Sequence, residues 1–129
     1  MPDRKSVVVP EIAHELPVPN ACRIGPFVIS GSISGINPVT KVMPDLLEDQ
    51  CDNMFLNMKS VIEAAGGTTD DIAKVTVYIR DRNKREPLNV AWLKMFPVAE
   101  SRPTRHAQLL QIEGPSLIQC DFVAFIIPR

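Results

Sequence analysis

Between Pro44 and Gly66, apolar residues recur at steps of three and four (Leu47, Cys51, Met54, Phe55, Met58, Val61, Ile62, Ala65), a period that predicts an amphipathic helix. Glu48, Asp49, Asn53 and Lys59 take its other side, and Gly66-Gly67 ends it, because glycine enters the left-handed conformation at little cost. The period then changes. Val75, Val77 and Ile79 alternate with Lys74, Thr76, Tyr78 and Arg80, the signature of a half-buried strand. A second amphipathic helix is predicted from Arg85 to Phe96, with Leu88, Trp92, Leu93 and Phe96 on a common face and Pro97 as its stop.

Shorter signals fill in the rest. A strand runs from Lys5 to Val9 and ends at Pro10, which cannot donate to a ladder. The proline-rich stretch from 10 to 20 reads as a loop. Gly25-Pro26 breaks the segment from Cys22 to Ser34 into a hairpin followed by a strand from Phe27 to Ile33, and Pro38 marks a surface turn. Two final strands, Thr104 to Ile112 and Leu117 to Ile127, flank a turn at Glu113-Gly114-Pro115-Ser116. The order of strand, strand, helix, strand, helix, strand, strand predicts an α+β, two-layer sandwich: a mixed β-sheet with two helices on one face.

The last strand describes both sides of that sheet. Ile118, Cys120, Phe122, Ala124 and Ile126 form one apolar face, suited to lie under the helices. Leu117, Gln119, Asp121, Val123, Phe125 and Ile127 form the reverse face, polar at its start and apolar beyond. Such a patch is expected to be covered by other subunits.

Composition narrows the class. With 129 residues, 45% hydrophobic and 22% charged, the chain is expected to be a single globular domain over residues 1–129. No apolar run approaches the ~18 residues of a membrane span, so a membrane partner is not expected. The amino terminus has no continuous apolar segment of the secretory kind, which makes a cytoplasmic location the expectation. A net charge of −1 and an isoelectric point near 6.1 argue against nucleic acid as a partner. Cys22, Cys51 and Cys120 lie far apart and read as reduced, small hydrophobic residues.

Motif chemistry is sparse. The sequence has no metal-ligand spacing, glycine-rich phosphate cradle or nucleophile elbow, so no metal or cofactor is expected. One constellation remains, Ser101-Arg-Pro-Thr-Arg105 and its polar counterpart on the last strand. Arg105 opens a strand and shares a face with Ala107, Leu109 and Gln111; there it is either a bidentate receptor for a carboxylate or an ordinary surface arginine. Gln119 and Asp121 point the same way, as site groups or as interface hydrogen-bonding groups. His106 falls on the face opposite Arg105, His14 lies in the proline-rich loop, and packing accounts for Tyr78 and Trp92.

Three stretches, Gly25 to Lys41, Val61 to Ile79 and Arg102 to Ile126, give the chain a family likeness. Their most specific part is the block A-G-G-x-x-x-D-I-x-K-V-T-V-Y-I followed downstream by R-P-x-R. Over nearly its whole length the chain resembles the Rid family, the YjgF-type reactive enamine/imine deaminases. The resemblance implies a chorismate-mutase-like α+β fold in a homotrimer, with clefts between subunits. It implies that Arg105 clamps the carboxylate of a small-molecule substrate and that Ser30 and Gly31 line the cleft. The family's last-strand carboxylates fall on Gln119 and Asp121, and a tyrosine of the family falls near Val18.

Two positions depart from that pattern. Gln119 holds or donates to a water but takes no proton at neutral pH, and Val18 in place of tyrosine implies an altered pocket. Gln119 is assigned with Arg105 to the catalytic set, and Ser30, Gly31, Val18 and Asp121 to substrate binding. The implied reaction is cofactor-free hydrolysis of enamine or imine acids to 2-keto acids and ammonia. The alternatives are a non-catalytic trimer that binds carboxylates or a regulatory partner, and a 2-aminomuconate-type deaminase. A ribonuclease or translation-inhibitor activity, also attached to this family, lacks the basic stripe it would need.

Overall fold

The computed structural model describes residues 3–128. Seven strands form one mixed sheet: β1 (Arg4–Val7), β2 (Ala21–Ile24), β3 (Phe27–Ser30), β4 (Ile33–Ser34), β5 (Ile72–Ile79), β6 (Thr104–Leu109) and β7 (Ile118–Phe125). Two helices, α1 (Leu47–Ala64) and α2 (Glu86–Met95), cover one face, giving the expected two-layer α+β arrangement. Among the described residues, no helix is long and apolar enough to cross a membrane.

The spatial order is β1-β2-β3-β7-β5-β6, with β4 also against β7. All pairings are antiparallel except β5 with β6, which α2 joins as a crossover. β7 therefore stands centrally, between the β3–β4 segment on one side and β5 on the other.

The strand expected from Phe27 to Ile33 breaks into two. Ile29 stands opposite Val123, but Ile33 stands opposite Cys120, so the β3–β4 side takes four steps where β7 takes three. This one-residue bulge reverses the alternation, which is why Val28 and Ile33, an odd number of residues apart, are both buried.

The periodicity of α1 is reproduced: Cys51, Met54, Phe55, Met58, Val61 and Ile62 are fully buried against the sheet. Asn53 departs from its expected place on the solvated side, because its Nδ2 donates to the Gly35 carbonyl at 3.2 Å. Gln50 and Asn57 also turn inward. Gln50 donates to the Pro44 and Pro115 carbonyls and accepts the Leu117 N–H, while Asn57 donates to the Ser34 and Ile36 carbonyls. Each amide satisfies main-chain groups that irregular segments bury under the helix.

On α2, Leu88, Ala91 and Trp92 are buried as one stripe, whereas Leu93, expected with them, is 50% exposed. Five residues past Leu88, Leu93 has turned well off the inner face of a helix with 3.6 residues per turn. The reverse face of the sheet is uncovered within the chain, and Ile24, Phe27, Ile29 and Phe125 stand exposed at its β2–β3–β7 end.

Candidate functional site

β6 is an edge strand, and its register with β5 decides where Arg105 points. Arg105 pairs with Val75, fully buried under the helices, and parallel partners present side chains to the same side. Arg105 therefore faces α2. There Arg85, Asn89 and Trp92, spaced i, i+4 and i+7, form a stripe along the helix and the residue that precedes it.

The guanidinium is held twice. Its Nη2 donates to Asn89 Oδ1 at 2.7 Å, and its Cζ lies 5.0 Å from the centroid of the Trp92 ring. Nη1 is buried without a hydrogen-bond partner. Among the described residues, the ion pair present is Lys94 with Asp52 at 3.7 Å, and no carboxylate pairs with Arg105. Desolvation, and after it the Arg85 charge, lower the Arg105 pKa, yet an arginine starting so high stays cationic at neutral pH. Nη1 is closed off by the chain itself, so an anion would be received at the half-exposed remainder of this cation, which lacks a counter-ion among the described residues.

The uncovered face carries a different set. Asp121 pairs with Thr76, and Gln119 with Tyr78, so Gln119 and Asp121 stand half-buried on the side of the sheet opposite Arg105. Desolvation raises the Asp121 pKa, against the lowering effects of the Tyr78 side chain and of Lys74. Desolvation, followed by the Asp121 charge, also raises Tyr78, which keeps its hydroxyl protonated. His106 lies on this face beside Thr76, exposed, as alternation predicts.

Gln119 also lines a cavity of about 540 Å³, together with His14, Ser32, Ser34, Lys41 and Asn57. Lys41 adopts a left-handed φ of 64° and its Nζ donates to the Glu11 carbonyl. No spacing in the sequence flags Lys41, because a loop brings it there.

Ser30 and Gly31 occupy the bulge. The Ser30 hydroxyl accepts the Phe122 N–H at 2.9 Å and donates to the Gly31 carbonyl at 2.9 Å, while the Gly31 N–H donates to the Asn20 carbonyl at 2.9 Å. Val18 is 51% exposed in the loop before β2 and does not line the Gln119 cavity. Within one chain, then, the expected residues form two groups: Arg105 under α2, and Gln119, Asp121, Ser30 and Gly31 along β7 and the bulge. Asn89 and Trp92 join the first group. Their spacing from Arg85 was visible in the sequence, but only the parallel β5–β6 pairing shows that Arg105 meets that stripe.

A mixed sheet under two helices, its last strand running centrally and its edge strand presenting an arginine without a counter-ion, defines the class. The chain belongs to the endoribonuclease L-PSP family, the YjgF/Rid family, whose sequence profile matches residues 17–111. A RutC family protein of Pyrococcus horikoshii is 30% identical over 111 residues, covering 84% of this chain and 86% of that one. A 2-iminobutanoate/2-iminopropanoate deaminase of Escherichia coli is 30% identical over 73 residues, covering 57% of each chain. The crystal structure of the E. coli YjgF gene product superimposes with a TM-score of 0.84 at 24% identity, covering 94% of this chain and 98% of that one. The family thus includes deaminases of reactive imines.

Proposed function

We propose that this protein hydrolyses small enamine or imine acids to 2-keto acids and ammonia, with no metal or organic cofactor, in the cytoplasm. The observation that carries this reading is the Arg105 guanidinium: partly desolvated, resting on the Trp92 ring and without a carboxylate partner among the described residues. The enamine first tautomerises to the imine. Water then adds to the imine carbon, one of its protons passes to nitrogen, and the carbinolamine expels ammonia as the keto group forms. Arg105 binds the substrate carboxylate, and Gln119 with nearby main-chain carbonyls orients the water. Such imines already hydrolyse in water, so fixing the two reactants supplies most of the acceleration required.

Arg105 and Gln119 face opposite sides of the sheet, so the complete site is assigned to the junction of neighbouring protomers in a homotrimer. The Arg105 end of one subunit meets the cavity that Gln119 lines in the next. The apolar residues Ile24, Phe27, Ile29 and Phe125 on the uncovered face support subunit contact. Ser30, Gly31, Val18 and Asp121 are assigned to the substrate-binding surroundings of that junction.

The test is ammonia release from freshly generated 2-aminoacrylate. Wild-type protein is expected to exceed the uncatalysed rate and Arg105→Ala to lose that excess; equal rates overturn the assignment. The amide at Gln119 favours a second reading, a trimer that binds 2-keto acids without turnover. Calorimetric binding of a 2-keto acid, with no acceleration for any enamine tested, would establish it.

A further inference from the structure

Trp92 is fixed from both sides. Its ring meets Phe55 edge-on at 5.9 Å between centroids and Phe96 at 4.7 Å, and the residue is 9% exposed. The Arg105 guanidinium rests on this immobile ring while Asn89 takes Nη2. An unrestrained arginine has several rotatable bonds that anion binding must freeze. A ring held in the core freezes them beforehand and uses no N–H in doing so, because it attracts the cation through its π face. Without the ring, Asn89 alone would leave the guanidinium free to swing about one hydrogen bond. The ring also displaces water from one side of the cation, which strengthens its attraction for an anion on the other.

We propose that Trp92 is a positioning residue for acid binding: its indole face sets the Arg105 guanidinium so that its solvent-facing side meets the carboxylate of the substrate. Trp92 touches no reacting atom. The proposal rests on Arg105 being the acid clamp, and it goes further in assigning the clamp's orientation to a residue that otherwise reads as core.

Trp92 is the only tryptophan in the chain, so its emission reports directly on what rests against it. Titrating the unaltered protein with 2-oxobutanoate is expected to change Trp92 emission saturably, at the concentration where calorimetry shows binding, and Arg105→Ala is expected to abolish the change. Calorimetric binding with no emission change overturns the proposal, whether or not any variant folds. In steady-state kinetics, Trp92→Leu is expected to raise KM roughly fivefold to thirtyfold at unchanged kcat, the loss of a cation–π contact from uniform binding. Trp92→Phe, which keeps an aromatic face, is expected to restore KM to within about threefold of the wild-type value. A folded Trp92→Leu protein with wild-type KM, alongside an Arg105→Ala protein that has lost activity, overturns the positioning role and leaves the acid clamp standing. An Arg105→Ala protein with full activity overturns both.

Discussion

The hydroxyl of Ser30 accepts the main-chain N–H of Phe122, 92 positions away in sequence, at 2.9 Å. It does so at the bulge, where the β3–β4 segment slips by one residue against β7. The side chain stands in for the carbonyl that a regular ladder would have provided. Its own hydrogen goes to the Gly31 carbonyl, so both functions of the hydroxyl are committed to the fold.

Ser30→Ala is therefore expected to lower stability by about 1–2 kcal/mol, the cost of a main-chain donor left unpaired in a partly buried place. Urea denaturation measures it. An unchanged midpoint would show that the hydroxyl does not bridge the bulge.

Gly35 sits where β4 passes under α1. A Cβ at this position would come within 2.6 Å of the Gln50 Cα and closer still to its carbonyl oxygen, and a helix backbone cannot step aside as a side chain can. Gly35→Ala is expected to cost about 3 kcal/mol, seen as a lowered denaturation midpoint with the slope unchanged. Wild-type stability in that variant would mean that α1 and β4 are not in close contact.

Asp121 gives the protein a pH dependence of a definite sign. Its carboxyl lies above its ordinary value of 3.8 in the folded chain, chiefly through desolvation, so folding favours the protonated form. Its contribution to stability is present below 3.8 and is lost as pH rises through the higher folded value. Asp121→Asn cannot ionise and is expected to lack that loss. The stability of the variant relative to wild type, followed by urea denaturation from roughly pH 3 to 6, should rise with pH. A flat difference, or one that falls, would place Asp121 in a solvated setting.

The cysteines should differ in reactivity. Burial, then the Asp52 and Glu48 charges, push Cys51 to about 12, and burial followed by the Asp121 charge pushes Cys120 up as well. Neither forms thiolate at neutral pH, and neither is reachable by a reagent. Titration with a chromogenic disulfide should modify at most one thiol per native chain, at half-buried Cys22, and all three after denaturation. Rapid reaction of two or more in the native protein would contradict the packing of α1 on β7.

The elements that were legible before folding are those whose signal is local. The three-four recurrence in α1 and the alternation in β5 and β7 name their buried residues correctly, because each follows from one element facing one core. Gln50, Asn53 and Asn57 were illegible, since an amide on a helix reads as solvated until the carbonyls of segments 34–36, 44 and 115 arrive beneath it. The bulge at Ser30 is equally non-local: it is a relation between two strands and leaves no period in either. Of the candidate site, alternation placed Arg105 and His106 on opposite faces and Gln119 with Asp121 on one. Which side of the sheet each pair addresses depends on the parallel β5–β6 pairing, and strand order is a property of the assembled sheet.

β7 comes last in chain order among the seven strands and is the one against which β3, β4 and β5 all pair. Without it, the amino-terminal hairpin and the β5–α2–β6 unit are two fragments with no strand between them, each exposing apolar residues meant for a shared core. The sheet therefore closes through pairings between residues far apart in sequence, and its folding is governed by those non-local contacts rather than by either fragment alone.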